Sequence, residues 1–172
     1  MQLFSLLMAA LVFITGCCSE QMVGERKLSN NSSVKEYMTL PIIPHAGESY
    51  RLEVNGKSYH NVCGSLYLAI PEKNLICFRT EPNIGACYLH VVPTKPDFKE
   101  FKIKLDKFSS FGHSLGLDKT NSFSTYVYKI EGDDIYFIER FYKRGQNRYR
   151  LDLDHHTLEI IEKGEIMGPA RD

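Results

Sequence analysis

Tryptophan is missing altogether from the 172 residues, and no charged side chain occurs before Glu20. Neither sign of charge is in excess: Lys plus Arg number 21 and Asp plus Glu number 21, so the formal net charge is zero. A balanced chain lacks the basic footprint on which general nucleic-acid binding rests, and no nucleic-acid partner is expected. The phosphate cradles G-x-x-x-x-G-K-[ST] and G-x-G-x-x-G are absent, and no cofactor is expected. Cysteine is sparse, five in all, and neither C-x-x-C nor a Cys/His spacing of the zinc type occurs. No stretch of about 15 residues keeps an apolar 3.6 period between a cap and a stop, so helices have little support. What remains is 43% hydrophobic and 24% charged, which fits an ordinary folded domain and excludes disordered and collagen-like chains.

The apolar run Leu3–Ile14 carries no charge. A membrane-spanning helix takes about 17–25 apolar residues, so this run is too short to cross and suits the core of an export signal. Ile14-Thr15-Gly16-Cys17 follows at once, with slim residues where a peptidase cleft admits only small side chains. This resembles the bacterial lipoprotein signal. The resemblance covers the first 17 residues and departs from the pattern in one respect, since no Lys or Arg precedes the apolar run. It implies that residues 1–16 are a signal peptide and that Cys17 is acylated and becomes the first mature residue. It also implies an anchor in the cell envelope. Cys18, in place of an aspartate, follows the acylated position; by analogy with sorting in two-membrane bacteria this implies the outer membrane. Secretion without a lipid is the alternative.

Export would allow disulfides among Cys18, Cys63, Cys77 and Cys87. A five-residue loop at Thr80–Ile84 would set Arg79 opposite Gly85 and Cys77 opposite Cys87. Directly opposed residues have Cα atoms about 4.5–5.5 Å apart, within the range a disulfide accepts. Two buried free thiols are the other reading of this pair.

Residues 17–33 read as the lipidated Cys and a flexible tether, 34–163 as a β domain and 164–172 as a flexible tail. Within the domain, Asn55-Gly56 is the strongest hairpin signal and would place Leu52 opposite Tyr59. Short apolar segments follow, and Phe101, Ile103 and Leu105 alternate with Lys102 and Lys104 as in a half-buried strand. Gly132-Asp133 suits a two-residue turn pairing Ile130 with Ile135 and Tyr128 with Phe137. Turns at Gly145-Gln146 and His155-His156 would set Tyr142 against Tyr149, Leu153 against Leu158 and Leu151 against Ile160. The fold class expected is all-β: an antiparallel barrel or two-sheet sandwich with a C-terminal four-stranded meander.

Two clusters have the residue types for chemistry. In the first, carboxylates and imidazoles suited to a divalent metal gather at Asp152, Asp154, His155 and His156. Asp154-His155-His156 is similar to the motif of the DHH phosphoesterases, which would imply a metal-dependent hydrolase. The likeness covers those three residues and is not matched by an α/β pattern; in the register above the two histidines are simply a turn. The second cluster runs from Arg140 to Arg150 with five basic residues and no acid. There Lys143 would oppose Arg148, and Lys143, Arg144, Arg148 and Arg150 would offer a seat for anionic lipid or envelope polymer; a solvated, charged hairpin is the plainer reading. No G-x-S-x-G elbow is present, and the missing Trp removes the G-x-W signature of typical lipocalins. The functional expectation is a non-enzymatic binding or assembly module of the cell envelope. A barrel carrying an apolar ligand is the alternative, and a metal-dependent hydrolase ranks third.

Overall fold

The computed structural model describes residues 20–28, 32–39, 49–63, 67–82, 85–95, 98–106, 111, 124–141 and 145–164. They form β1 (Glu20–Lys27), β2 (Ser33–Thr39), β3 (Ser49–Val54), β4 (Lys57–Val62), β5 (Leu68–Ile70), β6 (Leu75–Thr80), β7 (Tyr88–Pro93), β8 (Phe101–Lys104), β9 (Ser124–Glu131), β10 (Asp134–Phe141), β11 (Gly145–Asp152) and β12 (Thr157–Glu162). The protein is all-β, with two antiparallel sheets that do not close into a barrel. The larger sheet runs β1-β2-β3-β4-β6-β7-β8, with β5 beside β6; the smaller is the meander β12-β11-β10-β9.

Turn chemistry sets the local pairings. Asn55 and Gly56 both take positive φ, 51° and 81°, and the hairpin they close pairs Leu52 with Tyr59 as expected. Gly132, at φ 52°, likewise closes the β9–β10 hairpin and pairs Ile130 with Ile135.

The larger sheet coils over itself. In the strand order, β2 and β7 are four places apart, which would separate them by about 19 Å in a flat sheet. Yet the hydroxyl of Ser32, just before β2, donates to the carbonyl of Thr94, just after β7, at 2.6 Å. Between them, β4 and β6 share a single register pair, Val62 with Thr80. Strand β6 therefore lies between two cores, and all six of its residues are buried. Ile76 and Phe78 pack with Val34, Leu52, Val54, Tyr59 and Val92 on one side. Leu75 and Cys77 face the meander on the other, among Leu89, Val91, Phe111, Ile135, Phe137, Tyr149 and Leu151. Burying each of the three phenylalanines Phe78, Phe111 and Phe137 contributes about 1.5–3 kcal/mol.

Several expected pairings are corrected. Glu20–Lys27, within the expected tether, is a strand paired with β2, because polar side chains do not prevent an edge strand whose backbone bonds are satisfied on one side. Cys77 faces Val91, not Cys87, and both thiols are free. Strand β6 continues to Thr80 and pairs it with Tyr88, so the connection is longer than the expected five residues and the register moves. A bulge in the β9–β10 pair sets Phe137 against Val127, not Tyr128. Gly145, at φ 106°, is the first residue of β11, and Phe141 faces it; this sets Tyr149 against Phe137 and Arg148 against Ile138. Tyr142, Lys143 and Arg144 lie outside the described residues. The last turn spans Leu153–His156, so Leu151 faces Leu158, and neither the Leu153–Leu158 nor the Leu151–Ile160 pairing forms.

Candidate functional site

The coil of the larger sheet brings the β3–β4 hairpin against the connection that follows β7. Asn55 donates from Nδ2 to the carbonyl of Thr94 at 3.3 Å, and Lys57 is ion-paired with Glu100. Beneath the hairpin lies a groove of about 460 Å³ lined by Val54, Asn55, Lys57, Tyr59, Phe98 and Glu100, among others. Residues from both walls meet at Glu100. Its carboxylate accepts from the Tyr59 hydroxyl at 2.6 Å, and the lysine and this phenol hold its pKa below the ordinary range of a glutamate. Burial, with the Glu100 charge beside it, pushes the Tyr59 phenol up, so it stays a hydrogen-bond donor at neutral pH.

Behind Tyr59 sits an aromatic stack. Phe78 and His90 face each other across β6 and β7 with ring centroids 5.1 Å apart and nearly parallel planes, and Tyr59 meets Phe78 edge-on at 4.9 Å. His90 Nε2 shares a 3.0 Å hydrogen bond with the Thr80 hydroxyl. Burial, assisted by the Lys102 charge, lowers its pKa to about 4, so the ring is neutral near pH 7. The groove thus combines a cation, an anion and a phenol along an apolar floor, an arrangement suited to hydrogen-bonding recognition. Lys57 and Tyr59 stand 43 and 41 residues from Glu100 in sequence, which is why no local motif announces the site.

Interior polar groups were equally hidden. Arg79 is fully buried; its Nη1 donates to the Phe111 carbonyl at 2.9 Å, and its Nη2 lies 3.1 Å from the Glu81 carboxylate. The ring of Phe111 packs on Tyr149, whose hydroxyl donates to the buried Glu139 at 2.7 Å.

The Asp-His-His segment is a turn. Asp152 Oδ1 accepts from the backbone N–H groups of Asp154 and His155 at 3.0 and 2.9 Å. Its Oδ2 lies 2.9 Å from His155 Nδ1 and 3.0 Å from Arg150 Nη2. These contacts hold Asp152 well below the ordinary carboxylate range and raise His155. His156 turns away to stack on Phe101. With the guanidinium of Arg150 seated on Asp152, the four residues do not converge as ligands, and among the described residues no group of three His, Cys, Asp or Glu is placed to hold a metal ion.

Of the basic segment, Arg148 pairs with Glu162 at 3.1 Å, and Arg150 bridges Asp134 and Asp152 at 3.0 Å each. Both charges are met within the meander. Cys17, like Lys143 and Arg144, lies outside the described residues.

No protein-family model matches the chain, and no curated protein or solved structure shows significant similarity to it. The functional reading therefore rests on the residues themselves.

Proposed function

We propose that this chain is a cell-envelope lipoprotein, acylated at Cys17, whose β domain is a non-enzymatic binding or assembly module. The observation that carries the module reading is the filled space between the two sheets. Phe111 packs against Phe137 and Tyr149 at ring-centroid distances of 5.4 and 4.5 Å, with Leu89, Val91, Ile135 and Leu151 buried around them. A carrier of apolar ligands needs that space open, whereas a module presents its recognition groups outside, as the Lys57–Tyr59–Glu100 groove does. The lipoprotein part rests on Ile14-Thr15-Gly16-Cys17 after the apolar run. Serine lacks the thiolate from which a thioether forms. Cells labelled with a fatty-acid analogue should therefore mark the parent protein and not Cys17→Ser, and the variant should leave the membrane fraction. Equal labelling and retention would end the lipoprotein reading. Native mass spectrometry of the purified domain addresses the carrier, which predicts a retained apolar ligand.

A further inference from the structure

We propose that β1 is the edge the domain lays against the lipid surface, with Met22 and Val23 entering the bilayer interface. The inference rests on the acylation of Cys17 proposed above. Chain length decides it. A fully extended chain advances at most about 3.3–3.6 Å per residue, so the Cα of Glu20 stays within about 11 Å of the Cα of Cys17. Glu20 is already part of the sheet: it is in register with Thr39, and its carboxylate takes hydrogen bonds from Arg51 Nε and Nη2 at 2.7 Å each. The headgroup layer on each side of a bilayer is about 5–8 Å deep, so the leash barely clears it.

The side chains that arrive there fit an interface. Met22 and Val23 are 55% and 46% exposed, and the irregular register between Met22 and Gly24 makes Val23 an extra residue on β1. Such a bulge breaks the alternation that would send neighbouring side chains to opposite faces. Among the described residues β1 is also the outer strand of its sheet, and an open edge there is a template for pairing with another chain. A lipid surface beside it blocks that approach. The contact is apolar, so it should not require anionic lipid. Ile160 and Ile161 are equally exposed, but they belong to β12 in the other sheet and have no anchor beside them in sequence.

The absence of Trp from the chain makes the test direct. Full-length acylated protein carrying M22W, V23W or I161W is reconstituted in phosphatidylcholine vesicles with or without brominated acyl chains. Side chains at an interface seat about 5–10 Å into the headgroup and acyl boundary, so M22W and V23W should lose about half their emission to bromine while I161W is nearly unchanged. Inserting twelve Gly/Ser residues between Ser19 and Glu20 adds a coil of about 20 Å, and quenching of M22W should fall to the level of I161W. If M22W and V23W are quenched no more than I161W while mass spectrometry finds acyl chains on Cys17, the proposal is overturned and the lipoprotein reading stands. If Cys17 is bare, that reading falls and takes this proposal with it.

Discussion

His156 lies flat against Phe101, with ring centroids 3.9 Å apart and 17° between the planes. The pair clasps the β11–β12 turn of the meander to β8 of the larger sheet. The backbone of His156 is left-handed at φ 55°, an uncommon conformation for a residue with a side chain.

Removing the clasp should show as coupling. In a double-mutant cycle of Phe101→Ala and His156→Ala, urea unfolding should give an interaction energy of about 0.5–1.5 kcal/mol. His156→Gly should cost less than His156→Ala, because glycine adopts the left-handed backbone freely. Additive single losses would mean that the rings touch without holding the sheets together.

The neighbouring ion pair predicts a pH window. Asp152 is lowered from an ordinary value of 3.8, mainly by the His155 backbone N–H, and His155 is raised from 6.5 by Asp152. The carboxylate's contribution to stability is present above 3.8 and fades as pH falls through its lower folded value. The imidazole's contribution is full below 6.5 and fades as pH rises through its higher folded value. The turn should therefore be tightest between these two ordinary values. NMR titration should place His155 above 6.5 in the parent and return it toward 6.5 in Asp152→Asn. An unchanged titration would remove Asp152 as the cause.

Much of the strand order was legible because its signals are local. Asn55-Gly56 specifies its own turn, and Gly132-Asp133 does the same. Elsewhere the deciding residue was not the one that looked like a turn. Gly145 is the first residue of β11 and has positive φ, and the last turn is organised by the Asp152 acceptor two residues before Asp154, not by the paired histidines. Each misplacement shifts every later cross-strand pair, which is how the Tyr142–Tyr149 and Leu153–Leu158 expectations were lost. The groove and the buried Arg79 were illegible for another reason. Glu100 meets Tyr59 only because the sheet coils, and coiling is a property of the assembled strands, not of any segment.

Thiol chemistry should follow the corrected register. Burial pushes the Cys77 thiol up to about 12, leaving almost no thiolate at neutral pH, and Cys87 is only 5% exposed. Iodoacetamide should leave both unmodified in the native protein and alkylate both after unfolding without reductant. Non-reducing peptide maps should show no Cys77–Cys87 cross-link. Recovering the linked peptide from envelope material would require β6 and β7 to slide from the register that sets Cys77 against Val91.

His90 should make the fold sensitive to mild acid. Its folded pKa of about 4 lies below the ordinary 6.5, so as pH falls through this interval the unfolded chain takes up a proton that the folded chain refuses. The His90 contribution to stability should be flat above 6.5 and decline toward 4. Burial is the main cause, and Lys102 and Lys57 add to it while Glu100 opposes them. One proton sets a ceiling of about 1.4 kcal/mol per pH unit, and solvent reaching the open part of the ring brings the slope below that. His90→Gln removes the titration and keeps a side chain able to hydrogen-bond Thr80. Urea midpoints measured between pH 7.5 and 4.5 should fall more steeply for the parent than for the variant. Parallel curves would mean that His90 is protonated as readily in the fold as out of it, and the stack on Phe78 would then have to accommodate a charged ring.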